Sequence, residues 1–215
     1  PRTTRDYGML LRMNARYDPA EAARLLQEIV DGKVEGVAFN EYLCNELVRI
    51  VTDRKVLNEW KESLVAIVTN GQTAPAEPGT LAALLPEPVN LPGKRNQIKE
   101  LLALMQINQW SPMPSTAEYV ARRMVMQRQT KDIEALEKYM KANSMQINWN
   151  THNLILQARI MNGDKAGAER TVQWMARSRV PLMTNSLTAM NSAGIQVPPQ
   201  MRIMGRDADT GEPFK

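Results

Sequence analysis

One cysteine, one histidine and a 5% share of aromatics are all that this 215-residue chain offers to several kinds of chemistry. With Cys44 alone, no intrachain disulfide and no cysteine-rich metal site can form, as expected of a reducing compartment. His152 has no Cys or acidic pair at ligand spacing, so a metal centre and a His-based catalytic triad both lack their parts. The 11 glycines are scattered among turns and build no phosphate-cradling loop. No apolar run nears the roughly 18 residues that a membrane span needs. Asp207-Ala208-Asp209-Thr210-Gly211-Glu212 opens like a calcium loop but lacks the closing Glu and a flanking helix, so it reads as an acidic tail. The expectation is therefore no enzyme, no cofactor, no metal and no small-molecule substrate.

What the chain does hold is a helix-forming palette. Its 43% hydrophobic content falls on Leu, Ala, Ile, Val and 14 Met, and unbranched side chains lose little rotamer freedom in a helix. The net charge of +4 is mildly basic and suits nucleic acid or an acidic protein surface equally. Arg2, Arg5, Arg12 and Arg16 near the start are compatible with a presequence already removed, and equally with a trimmed chain.

The strongest signal is a thirty-five-residue step. It carries Thr116 onto Thr151, Val120 onto Ile155, Tyr139 onto Trp174, Met140 onto Met175 and Met145 onto Val180. More weakly it carries Leu25 onto Trp60, Ile29 onto Leu64 and Gly36 onto Gly71. A fixed period of this size marks stacked supersecondary units, which form extended surfaces suited to gripping long partners. The expected fold is all-α, a solenoid of antiparallel helix hairpins.

Local signals divide the chain. Residues 1–70 read as an N-terminal helical block. Asp18-Pro19-Ala20-Glu21 is a helix start with a capping box, and further helices are expected over Asn40–Val51 and Lys55–Val68. In the third of these Val56, Leu57, Trp60, Leu64, Val65 and Ile67 are expected to face inward. Residues 71–93 carry Pro75, Pro78, Pro86, Pro88 and Pro92 and read as a linker in which only Thr80–Leu85 can form a turn or two. Residues 94–193 read as repeats, with helices over Gln97–Ile107, Ser115–Arg128, Asp132–Asn143, Thr151–Asn162, Lys165–Ser178 and Thr184–Ser192. The seam should hold Leu101, Met105, Val120, Leu136, Met140, Ile155, Ala168 and Met175. Residues 194–215 read as an extended tail. The linker and the stretch from 198 onward are expected to lack regular structure and to lie against other chains or RNA.

Asn150-Thr151-His152-Asn153-Leu154-Ile155, followed by Asn162-Gly163-Asp164, Ala168 and Met175, resembles the pentatricopeptide repeat. The preceding unit keeps Thr116, Leu136, Met140 and Met145 but has Arg128 where the turn glycine belongs. Lys94 to Asn191 supports the resemblance, and an unrelated tetratricopeptide-like hairpin repeat is the alternative. The resemblance implies an organellar protein binding single-stranded RNA along the first helix of each unit. There, a first-turn residue and the last residue of the unit read each base. Those positions would be Glu118, Asn153 and Thr188, with Asn148 and Met183 ending the units. Glu118 and Met183 are not of the expected polar kind, and Ser115 and Asn150 stand where an aliphatic normally wedges beside the base. No unit holds a complete reading pair.

Arg122, Arg123, Arg128 and Lys131 form the densest basic cluster of the repeats, continued by Arg159, Lys165, Arg170, Arg177 and Arg179. They fit a phosphate-tracking stripe or a solvated face with Glu118 paired to Arg122. Trp149 and Trp174 suit base stacking, although helical spacing puts Trp174 in the core. The RNA-contact candidates are thus Arg122, Arg123, Arg128, Lys131, Asn148, Asn153 and Arg159. The expected role is a structural subunit of an organellar ribonucleoprotein in the mitochondrial matrix rather than a plastid, the mitochondrial ribosome foremost. It would contact rRNA by backbone and shape and would touch neighbouring proteins. A transcript-specific RNA factor and a scaffold subunit of a respiratory or ATP-synthase complex are the alternatives.

Overall fold

The computed structural model describes residues 2–71, 77, 80–85, 96–126, 128 and 130–204. Among these the chain is mostly helical, 67% of them lying in helices, with two strands of two residues each. It falls into two compact units, Pro1–Thr116 and Ala117–Lys215. The division lies inside a helix rather than at the proline-rich stretch.

In the first unit, α1 (Thr4–Tyr17) opens on Thr3, whose hydroxyl accepts from the Asp6 N–H while the Asp6 carboxylate takes the Thr3 N–H. It buries Gly8, Leu11 and Ala15 and leaves Met9, Met13 and Tyr17 facing solvent. A Cβ at Gly8 would come within 2.7 Å of the Tyr42 ring, so this glycine sets how closely α1 approaches α3 (Glu41–Thr52). The helix α2 (Pro19–Val30) starts at Asp18 as the sequence implies. Glu21 does not close the expected capping box: the Asp18 N–H is held by the Asn14 carbonyl at 2.7 Å, and the Glu21 carboxylate pairs with Arg24. The fourth helix, α4 (Asn58–Thr69), buries Leu64 and Val65. Leu57, expected inward, is its N-cap residue and is exposed. Helix α1 packs on α2 and α3, α2 on α4, and both α3 and α4 on α6 (Gln97–Ile107).

Within the proline-rich stretch, Thr80 caps a single turn, α5 (Leu81–Leu84). Leu81, Ala82 and Leu85 are buried and α5 packs on α6 of its own chain. Most of the remaining linker, and the tail from 205 onward, lie outside the described residues.

The second unit contains most of α7 (Pro114–Met126), then α8 (Ile133–Ala142), α9 (Trp149–Met161), α10 (Lys165–Arg177) and α11 (Thr184–Ser192). Its core gathers Leu156, Ala168, Val172, Met175, Leu182, Met190 and Ile195. Part of the segment expected to be an irregular tail joins this core. Val197 and Met201 pack against it, and β2 (Ile203–Met204) pairs in parallel with β1 (Leu182–Met183). The physical reason is an open ladder edge at Leu182, whose N–H finds the Arg202 carbonyl at 2.7 Å. All eight expected seam residues are fully buried.

The thirty-five-residue step is written into the backbone. Gln109, Ser144 and Arg179 stand one step apart and share φ values of 56°, 51° and 55°. In each case the following residue sends its N–H back five positions: Trp110 to Met105, Met145 to Met140 and Val180 to Met175, at 2.8, 2.9 and 2.8 Å. This is a left-handed helix stop closed by a six-residue hydrogen-bonded turn. Arg128 (φ 54°) and Gly163 (φ 73°) mark the other turn of the unit, also one step apart. Arg128 therefore takes up the left-handed conformation that Gly163 adopts one step later. A non-glycine residue in this region carries about 1–2 kcal/mol of steric cost. Ser144→Gly should raise the unfolding free energy by about 0.5–1 kcal/mol in thermal or urea melts, the gain being trimmed by the freer unfolded chain.

Candidate nucleic-acid interface

Two of the three first-turn positions, Glu118 and Asn153, face inward to their own chain. Asn153 is fully buried. Its amide donates to the Trp149 carbonyl at 2.8 Å and the Pro181 carbonyl at 2.9 Å, and its oxygen accepts from the Met183 N–H at 2.8 Å. Both amide donors are used, so Asn153 offers nothing to a base. Asn45, which periodicity does not single out, makes the same arrangement. It donates to Glu41 at 3.0 Å and Ser111 at 3.2 Å and accepts from the Met113 N–H at 2.9 Å. Ser111 and Met113 stand two repeat steps before Pro181 and Met183.

Glu118, one step before Asn153, does this work with a carboxylate. It accepts from the Asn148 side chain at 2.8 Å and from that of Asn150 at 3.1 Å, and it pairs with Arg122 at 2.8 Å. In all three cases a side chain from an early turn of one helix clips the loop that leads into a later one. Asn148, a unit-ending position, is engaged twice: its oxygen caps α9 through the Thr151 N–H at 2.9 Å while its amide reaches Glu118. Thr188, the last first-turn position, returns its hydroxyl to the Thr184 carbonyl at 3.1 Å.

Arg159 is likewise not a surface contact. Its guanidinium donates to the Gly167 carbonyl at 2.9 Å, the Thr171 hydroxyl at 2.7 Å and the Glu137 carboxylate at 2.5 Å. It braces α9 against α10 and α8, with only 15% of its side chain exposed. The remaining cations of the cluster do not converge on one face. Arg122 is exposed and tied to Glu118, whereas Arg123 is half-buried near Tyr119. Successive residues point about 100° apart around a helix, which separates these two. Arg128 and Lys131 are exposed between α7 and α8.

A second surface appears where the period implies core. Trp174 is 46% exposed and Trp149 is 41% exposed. The Trp174 ring lies against His152, centroids 4.3 Å apart and planes tilted by 39°. Burial pushes the His152 imidazole down to about 4, so the ring is neutral at physiological pH despite a hydrogen bond to the Ile147 backbone. The charge of Lys141 also acts on it. Arg170 and Arg177 are exposed on α10, about one turn either side of Trp174. The signal for this surface is a Trp bracketed by Arg at helical spacing, which periodicity alone assigns to packing.

Burial also raises the Cys44 thiol to about 12, leaving it a buried apolar group rather than a nucleophile. Among the described residues, no group of three or more His, Cys, Asp or Glu side chains could hold a metal ion, and no helix is long and apolar enough to cross a membrane. Neither a scan of protein-family models nor a search of curated proteins finds a match to this chain.

Proposed function

We propose that this chain is a pentatricopeptide-like α-solenoid acting as a structural subunit of an organellar ribonucleoprotein. The mitochondrial ribosome of the matrix is the leading assignment. Such a subunit holds RNA through phosphates and shape and does not read its sequence. The observation that carries this reading is the clip: Glu118, Asn148 and Asn153, three of the five positions that would read bases, are bonded to their own chain. What remains for RNA is unspecific charge, chiefly Arg128 and Lys131, with Arg122 reduced by its pairing to Glu118. This disfavours the transcript-specific factor. The solvent-facing Met9, Met13 and Tyr17 of α1 support the protein-contacting half of the role.

Binding of labelled RNAs of unrelated sequence, measured over a salt series, tests the reading. Similar affinities are expected throughout, with a steep fall as salt rises. Arg128→Gln with Lys131→Gln should weaken all the RNAs alike and flatten the salt slope by about 0.7 for each phosphate deprived of its cation. A marked preference for one sequence would favour a transcript-specific factor. No affinity for any RNA at low salt would favour the protein scaffold.

A further inference from the structure

We infer that Trp174, backed by His152 and flanked by Lys141, Arg170 and Arg177, is a stacking platform for an unpaired nucleobase of single-stranded or looped RNA. The inference rests on the reading of the chain as RNA-binding. It adds a site centred on the second helix of the unit, distinct from the first-turn positions that the clips occupy.

Four observations converge on it. The equivalent ring one repeat earlier, Tyr139, is half-buried and loses solvent to its surroundings, whereas Trp174 keeps 46% of its surface open. The indole is already held against His152 at 4.3 Å, so it is ordered before a ligand arrives and little side-chain freedom remains to be lost on binding. His152 is neutral and adds ring surface without charge, while cations stand to the sides at Lys141, Arg170 and Arg177. An aromatic face with lateral cations matches a base with phosphates before and after it, and the base can be any of the four because each has a π-face. Trp149 lies one turn before His152 on α9, on the same flank and 41% exposed, and offers a second ring to the neighbouring base. The exposed cations at Lys141, Arg170 and Arg177 favour a polyanion over an uncharged partner.

The test is fluorescence anisotropy of the full chain with a short unstructured oligouridine and with an RNA duplex of equal length. Trp174→Ala should weaken oligouridine binding by about tenfold to a hundredfold, the range seen for loss of one stacked base. Trp174→Phe should retain most of the affinity. The slope of log affinity against log salt should not change, because stacking releases no counterions, and duplex affinity should stay within about twofold. Saturating oligouridine should also quench the tryptophan emission of the unmodified chain, a readout that stands even where the alanine variant melts early. Equal binding by wild type and Trp174→Ala, absence of quenching, or equal losses on duplex and single strand would each overturn the platform while leaving the RNA reading intact. If the unmodified chain binds no RNA at low salt, the RNA reading and the platform fall together.

Discussion

Asn153→Ala is expected to lower the unfolding free energy by about 2–4 kcal/mol, the largest effect of any polar residue in the second unit. Truncation strands the Met183 N–H and the Pro181 carbonyl in a site closed to water, and it leaves a small void beside α9. Asn153→Asp should cost at least as much, because a carboxylate would replace an amide donor facing two carbonyl oxygens. Urea denaturation followed by circular dichroism measures both, and Thr188→Ala, at the exposed equivalent position, should change little. RNA sequence preference should not move in any of these variants. A stable Asn153→Ala protein with altered base preference would show that the residue is free to read RNA and that the clips do not silence the base-reading row.

Glu137→Ala should cost about 2–3 kcal/mol because it leaves Arg159 charged and mostly buried with one partner gone. The Arg159 Nε already lacks a hydrogen-bond partner, so the guanidinium has nothing in reserve. The double variant Glu137→Leu with Arg159→Met should recover most of the loss, since apolar residues of similar size replace a half-desolvated ion pair without orphaning a charge. A double-mutant cycle in urea gives the coupling. RNA affinity should be unaffected by Arg159→Met, in contrast to the loss expected from Arg128→Gln with Lys131→Gln. If Arg159→Met instead weakens RNA and leaves stability alone, the guanidinium faces outward in solution and the brace is wrong.

Helix limits and core are legible in the sequence because they depend on short-range rules. Asp18 before Pro19 starts a helix by local hydrogen bonding and fixed φ, and Leu136, Met140, Ile155 and Met175 recur at a helical period that only burial explains. Helix α1 escapes such reading because its buried face holds one large apolar residue, Leu11, beside the small Gly8 and Ala15, while Met9 and Met13 point outward. Trp174 departs from expectation for the converse reason: its period says core, but exposure depends on which helix lies next to it. The clips are harder still. The partners of Asn153 lie about thirty residues away, and the insertion after α3 throws Asn45 out of register with Asn153. An Asn five positions into both α3 and α9 is the one trace they leave. The β2 pairing spans two residues, too few for alternation to register.

The clips also have a direction. Glu118 of α7 receives side chains at 148 and 150, and Asn153 of α9 receives the backbone at 181 and 183. Each of these two receptors therefore precedes its ligand in the chain by roughly thirty residues, and Asn45 precedes Ser111 and Met113 by 66 and 68. During synthesis, which delivers the N-terminal side first, a helix would emerge with its socket empty and wait for the loop made next to fill it. Completion of one unit and launch of its successor become the same event. A nascent chain arrested just short of residue 183 should thus be protease-sensitive through α9 and α10 as well as at its end.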